Sequence, residues 1–166
     1  MQHKEHAITI NAPVEKVWDV LVDVEGYARI FPQTHEVQIT ESSPTHQIVR
    51  IVAEVAGQKQ SWVSRRDIDQ DRRVIAYEQL EKAQLMSHMG GEWRVRELAD
   101  GSTELVITHD FAPQEGLVGG LIGAKPGDED LGEVLSRAVD QISHKDLAAV
   151  KAEAERLFAA AGSSKS

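Results

Sequence analysis

Cysteine is absent from the 166-residue chain, which removes disulfides, zinc–thiolate sites and cysteine nucleophiles. No apolar run is long enough to span a bilayer. The opening, MQHKEHAITI, is charged and lacks the apolar stretch of a signal peptide. A cytoplasmic protein with no membrane partner is the expectation. Basic residues are in the minority: 18 Lys and Arg stand against 27 Asp and Glu, a formal net charge of −9. That balance argues against general affinity for nucleic acid or anionic lipid, since both need cationic neutralisation. Arg65, Arg72, Arg73, Arg94 and Arg96 do crowd one stretch, and they read as a solvated strand face. Metal motifs are missing, because the seven histidines show neither HExxH nor another ligand spacing. No GxSxG occurs, and in GGLIGAKPG the lysine is followed by Pro126 where a phosphate loop needs Ser or Thr.

What is present is an ordinary globular composition, 41% hydrophobic and 27% charged. The length suits one domain, which buries roughly two-thirds of its unfolded surface at this size. Residues 1–160 read as that domain and 161–166 as a frayed, disordered tail. HAITI reads as a strand. NAPVEKVWDVLVDV then opens a helix, with Asn11 as N-cap, Pro13 near the first turn, and Val14, Val17, Trp18, Leu21 and Val22 at helical spacing. Gly26 ends it, and YARIF forms a second short helix before Pro32. Strands are expected over 35–41, 46–56, 58–69, 72–80, 84–98 and 103–111, with a bulge or bend at Gly90-Gly91. A long helix from about Asp128 to about Ala160 completes the chain. Gly116, Gly119, Gly120 and Gly123, just before it, suit a flap over a cavity mouth.

The order strand, two helices, about six strands and one long helix predicts an α+β helix-grip fold. In it a curved antiparallel sheet of about seven strands wraps the C-terminal helix and leaves an interior cavity. Alternation then sorts the strands. In SWVSRRDID, Trp62, Ser64, Arg66 and Ile68 share the apolar face. In TELVITHDF, Leu105, Ile107, His109 and Phe111 point inward, and Asp110 is left to solvent or to a rim partner. On the last helix Asp146 falls on the stripe centred on Ile142, and Glu153 projects near it. Arg66, His109 and Asp146 therefore converge on the cavity. Each also has a plain structural explanation: a paired ion, a satisfied core histidine, a helix polar cap. Phe31, Trp62, Tyr77, Met86 and Trp93 fit either a core or the walls for a flat, partly aromatic ligand. Ser64, His88 and Phe111 complete the substrate-lining set.

The wording of NAPVEKVWDVLVDVEGYARIFP, WVSRRDIDQDRRVIAYEQLE, HMGGEWR and ELVITHDF resembles the first-ring aromatase/cyclases of bacterial type II polyketide pathways. These are START/Bet v1-like proteins, and the resemblance runs to about residue 160. It is similar in particular to single-domain members that join carbon 7 to carbon 12 of unreduced poly-β-ketones. The resemblance implies catalytic roles for Arg66, His109 and Asp146 and a requirement for no cofactor. Its implied partners are an acyl carrier protein bearing the chain and a minimal polyketide synthase, with docking on a basic rim that includes Arg65 or Arg73. In this scheme Arg66 stabilises a carbonyl or enolate oxygen, His109 acts as acid and base, and Asp146 orients His109 or holds a water. The competing reading is a non-catalytic carrier of a lipid, quinone or finished polyketide. The sequence leaves a homodimer open.

Overall fold

The computed structural model describes residues 1–82, 86–114 and 131–163. Strand β1 (Gln2–Ile10) leads into helix α1 (Val14–Val22), a 3-10 turn (Val24–Gly26) and the short helix α2 (Tyr27–Ile30). Six strands follow: β2 (Thr34–Ser42), β3 (His46–Val55), β4 (Gln58–Asp69), β5 (Val74–Glu81), β6 (Met86–Glu97) and β7 (Thr103–Pro113). Helix α3 (Leu131–Ser163) closes the order. The sheet is antiparallel throughout, with strand order β1-β7-β6-β5-β4-β3-β2. Its concave face holds α3, which is the helix-grip arrangement expected. No described helix is long and apolar enough to cross a membrane.

Local chemistry moves some boundaries. Asn11 does not cap α1. The cap is Pro13 in an extended conformation (φ −63, ψ 153) with no side-chain hydrogen bond. A residue before proline disfavours helical geometry, so Ala12 delays the helix, and the Asn11 N–H donates instead to Glu155. Strand β5 starts at Val74 because Arg73 turns through a positive φ of 53. Helix α3 continues past Ala160 to Ser163. The expected helix start at Asp128 and the glycines at 116, 119, 120 and 123 lie outside the described residues.

Two apolar clusters frame the interior. The larger joins α1, the sheet and the C-terminal half of α3 through Leu21, Ile75, Leu105 and Val150. The smaller sits towards the other end of α3, around Phe111, Leu135, Val139 and Met89. Between them sheet and helix stay apart. The arginines of the outer face pair with acids at the surface, among them Arg65 with Asp67, Arg73 with Glu15 and Arg96 with Glu104. Asp110 is likewise on the outer face, 2.6 Å from His3 Nδ1.

Candidate active site

A cavity of about 150 Å³ lies between the sheet and α3. Arg66, His109 and Asp146 all line it. Arg66 reaches it because β4 alternates as expected: Arg65 is exposed and Arg66 only 3% exposed. Its Nη2 donates to the Leu21 carbonyl at 2.5 Å and to Tyr27 Oη at 2.9 Å. Tyr27 Oη in turn donates to the same carbonyl at 2.6 Å. The end of α1 and the start of α2 thus hold one edge of the guanidinium. The other nitrogen, Nη1, is buried without a hydrogen-bond partner. An unpaired nitrogen on a buried cation is costly, and it leaves the guanidinium half-satisfied beside the cavity.

His109 is buried on β7. Its Nδ1 lies 3.2 Å from Ser143 Oγ on α3, and its ring meets Tyr77 edge-on at 6.0 Å between centroids. Burial, helped by nearby His6, pushes its pKa down to about 4, against a smaller upward pull from Asp110. The imidazole is therefore neutral at pH 7.

Tyr77 arrives at His109 by crossing a strand. Register pairs Arg66 with Tyr77 and Tyr77 with Gly91, so the tyrosine ring lies over a position without a side chain. Its hydroxyl donates to the Thr108 carbonyl at 2.6 Å. The Glu92 N–H goes to Thr108 Oγ1 at 3.0 Å instead of to a ladder carbonyl. Gly91 has φ +154, and a Cβ there would sit 2.0 Å from Thr108 O and 2.9 Å from Tyr77 Oη. Only glycine fits. Burial and the Asp146 charge hold the Tyr77 pKa well above the ordinary value, so this hydroxyl keeps its proton.

Asp146 faces the cavity with no hydrogen bond or ion pair to any described residue. Burial alone pushes its pKa up to about 8. Glu153, on the same stripe, has the opposite fate: Arg29 Nη1 reaches its Oε2 at 2.6 Å and Arg156 Nε its Oε1 at 2.7 Å. No hydrogen bond joins Asp146 to His109. Ser143 takes that place.

Of the substrate-lining residues expected from sequence, Phe31, Trp62, Ser64, Tyr77, Met86 and Trp93 line the cavity. His88 and Phe111 do not. A β-bulge between Met86 and His88 gives β6 one extra residue, which flips every later side chain to the other face. Met89 points inward in the place expected for His88. Phe111 shares the inward face of His109 but is fully buried in the smaller cluster, against Leu135 and Val139. Sequence reading missed Tyr27, Ser143 and Met89. The four-residue α2 has no periodicity to reveal Tyr27, and a serine on a helix carries no signal.

A family model described as polyketide cyclase/dehydrase and lipid transport matches residues 1–155. The chain belongs to this family. A relative among curated proteins, the actinorhodin polyketide synthase bifunctional cyclase/dehydratase of Streptomyces coelicolor, is 35% identical over 151 residues. The match covers 91% of this chain and 43% of that protein, so the chain spans less than half the length of this relative. The crystal structure of the Zhui aromatase/cyclase from Streptomyces sp. R1128 superposes with a TM-score of 0.85 at 47% identity, covering 93% of this chain and 94% of the other. A START superfamily protein from Mycobacterium smegmatis has a TM-score of 0.70 at 14% identity, covering 93% and 98%. At that identity it shows the fold alone, and the fold is START/Bet v1-like.

Proposed function

We propose that this polyketide cyclase/dehydrase family member is an aromatase/cyclase acting on an unreduced poly-β-ketone tethered to an acyl carrier protein. It would close the first ring between carbon 7 and carbon 12 by aldol addition and then release water. The observation that carries the reading is the convergence of three polar side chains, Arg66, His109 and Asp146, on one cavity. A carrier of apolar ligands gains nothing from a buried, half-satisfied cation.

In aldol closure a methylene carbon loses a proton and bonds to a ketone carbon, whose oxygen gains a proton. Loss of that hydroxyl with a neighbouring hydrogen, as water, begins aromatisation. No net oxidation occurs, so these steps call for no redox cofactor. Arg66 supports the enolate or alkoxide oxygen in a low-dielectric setting, the kind of interaction that is strongest where charge develops. With burial raising its pKa to about 8, Asp146 is mostly protonated at pH 7 but titrates close to it, where a carboxyl can give or take a proton during the reaction. His109, neutral and buried, acts on the carbonyl oxygen. The walls at Phe31, Trp62 and Trp93 restrict the chain to one folded arrangement, and positioning of this kind lowers the barrier before any proton moves. Arg65 and Arg73 sit in exposed ion pairs worth only about 0–1 kcal/mol, which an acidic carrier protein can replace.

The test is reconstitution with a minimal type II polyketide synthase and its carrier protein, with products identified by mass spectrometry and NMR. A shift from mixed shunt products to a ring closed between carbons 7 and 12 supports the reading. An unchanged mixture, with folded protein and active synthase, rejects it for that chain. A second reading, a non-catalytic carrier of a lipid, quinone or finished polyketide, is favoured by the apolar stretch of wall at Met86, Met89, Val139 and Ile142. It predicts that Arg66 and His109 variants alter affinity without altering product identity.

A further inference from the structure

We propose that Ser143 is a positioning residue that fixes the tautomer of His109: its hydroxyl donates to Nδ1, so the imidazole carries its proton on Nε2 and presents it to the cavity. The inference rests on the cyclase reading for its purpose, but not for its geometry.

The geometry is a matter of where one proton can go. Ser143 is completely buried, and among the described residues its Oγ has one hydrogen-bond partner, His109 Nδ1. A hydroxyl both donates and accepts. If Nδ1 carried the imidazole proton and donated to Oγ, the serine proton would need a second acceptor. No described group supplies one, and a buried donor without a partner is disfavoured. If Oγ donates to Nδ1, both atoms are satisfied by a single bond. The other nitrogen then holds the proton, and no described residue hydrogen-bonds Nε2.

The groups packed around the ring agree with a neutral imidazole. Lys4 lies opposite His109 in the β1–β7 register, and His6 is near enough to disfavour a second positive charge. Both are held by Asp140, Lys4 Nζ at 3.1 Å and His6 Nε2 at 2.9 Å, so that carboxylate is already engaged. Tyr77 meets the ring edge-on with its proton committed to Thr108. Asp146 lies one helical turn beyond Ser143 and makes no hydrogen bond to the ring. Asp110, next along β7, points to the outer face and pairs with His3.

A neutral imidazole with the proton on Nε2 is a hydrogen-bond donor to a substrate oxygen. In the opposite tautomer Nε2 would be an acceptor and would repel a carbonyl. Ser143 therefore decides whether His109 helps Arg66 hold the oxygen of the closing ring or leaves Arg66 to do so alone.

Long-range proton–nitrogen correlation NMR on histidine-labelled protein reads tautomers directly, with His109→Gln used to assign the signal. At pH 7 the expected pattern is neutral His109 with hydrogen on Nε2. In Ser143→Ala, which removes one buried oxygen and leaves a helix-favouring residue, the pattern should move to a mixture or to hydrogen on Nδ1. A wild-type Nδ1–H pattern overturns the proposal, and so does an Nε2–H pattern unchanged in Ser143→Ala. In the reconstituted system the same variant should lose first-ring product several-fold while unfolding at nearly the wild-type temperature. If no variant and no wild-type protein closes a ring, yet the NMR shift occurs, the tautomer assignment stands and the cyclase reading falls.

Discussion

The Arg66 guanidinium shares the Leu21 carbonyl with Tyr27 and lies 5.0 Å from the centre of the Tyr27 ring. Three groups from three elements are locked together through Nη2, and Nη1 is buried without a hydrogen bond. Lysine cannot reproduce this, because an ammonium lacks the planar guanidinium that bonds the carbonyl and the hydroxyl from one nitrogen while lying over the Tyr27 ring. Arg66→Lys and Arg66→Ala should both lose the first-ring product, with a rate loss on the order of 10²–10³ if the charge supports the developing oxyanion. Product profiling in the reconstituted system measures it. Tyr27→Phe should keep the fold at a cost of about 1–3 kcal/mol, read by denaturant unfolding, and should broaden the products.

Asp146 makes stability fall as pH rises. Burial raises its pKa from 3.8 to about 8, so between those values the folded chain keeps a proton that the unfolded chain has released. The slope is at most about 1.4 kcal/mol per pH unit. Asp146→Asn cannot ionise. It should be more stable than wild type at pH 8, with the gap closing towards pH 4. Chemical denaturation at a series of pH values is the measurement.

His109 acts in the opposite sense. Its pKa falls from 6.5 to about 4 on folding, so the stability it contributes is present above pH 6.5 and is lost as pH drops towards 4. His109→Gln should flatten the acid side of the same stability profile while leaving the alkaline side unchanged.

Gly91→Ala tests the crossing of Tyr77 over β6. The added carbon would meet the Thr108 carbonyl, and the backbone conformation is strained for any side chain. The expected cost is at least about 2–3 kcal/mol, seen as a lower midpoint in thermal or denaturant unfolding. Tyr77→Phe removes only the hydroxyl and should cost about 1 kcal/mol.

Glu153 is a separate clamp. Breaking its bonds to Arg29 and Arg156 should loosen α2 while leaving the sheet intact. Both arginines are largely exposed, so screening limits the expected cost of Glu153→Gln to about 1 kcal/mol. Faster hydrogen exchange confined to residues 27–31 is the sign to seek.

The two inward strand residues were legible because alternation has a period of two, and β4 and β7 keep the inward face it predicts as far as Arg66 and His109. His88 was expected among the lining residues, but one bulged residue reverses the faces of β6 there and puts Met89 inside. Helical periodicity placed Asp146 and Glu153 on one stripe but could not tell them apart, since the arginines that neutralise Glu153 come partly from α2. Asn11 looked like a cap by residue type, yet the proline two positions on controlled where the helix began. The contact of Ser143 with His109, and the reach of Tyr77 across Gly91, arise only when separate elements pack, and no local pattern encodes them.

The pairing of β1 with β7 sets the order in which the molecule can be put together. Ile10 faces Thr103 and Gln2 faces Phe111, so strands roughly a hundred residues apart must find each other, a contact of the kind that slows folding. During synthesis β1 has no strand partner until β7 has emerged. His109 sits on that late-arriving strand, and Asp146 lies on a helix made later still. The chain can thus lay down most of its sheet before any two of the three candidate groups meet, and the chemistry would switch on only with the last closure.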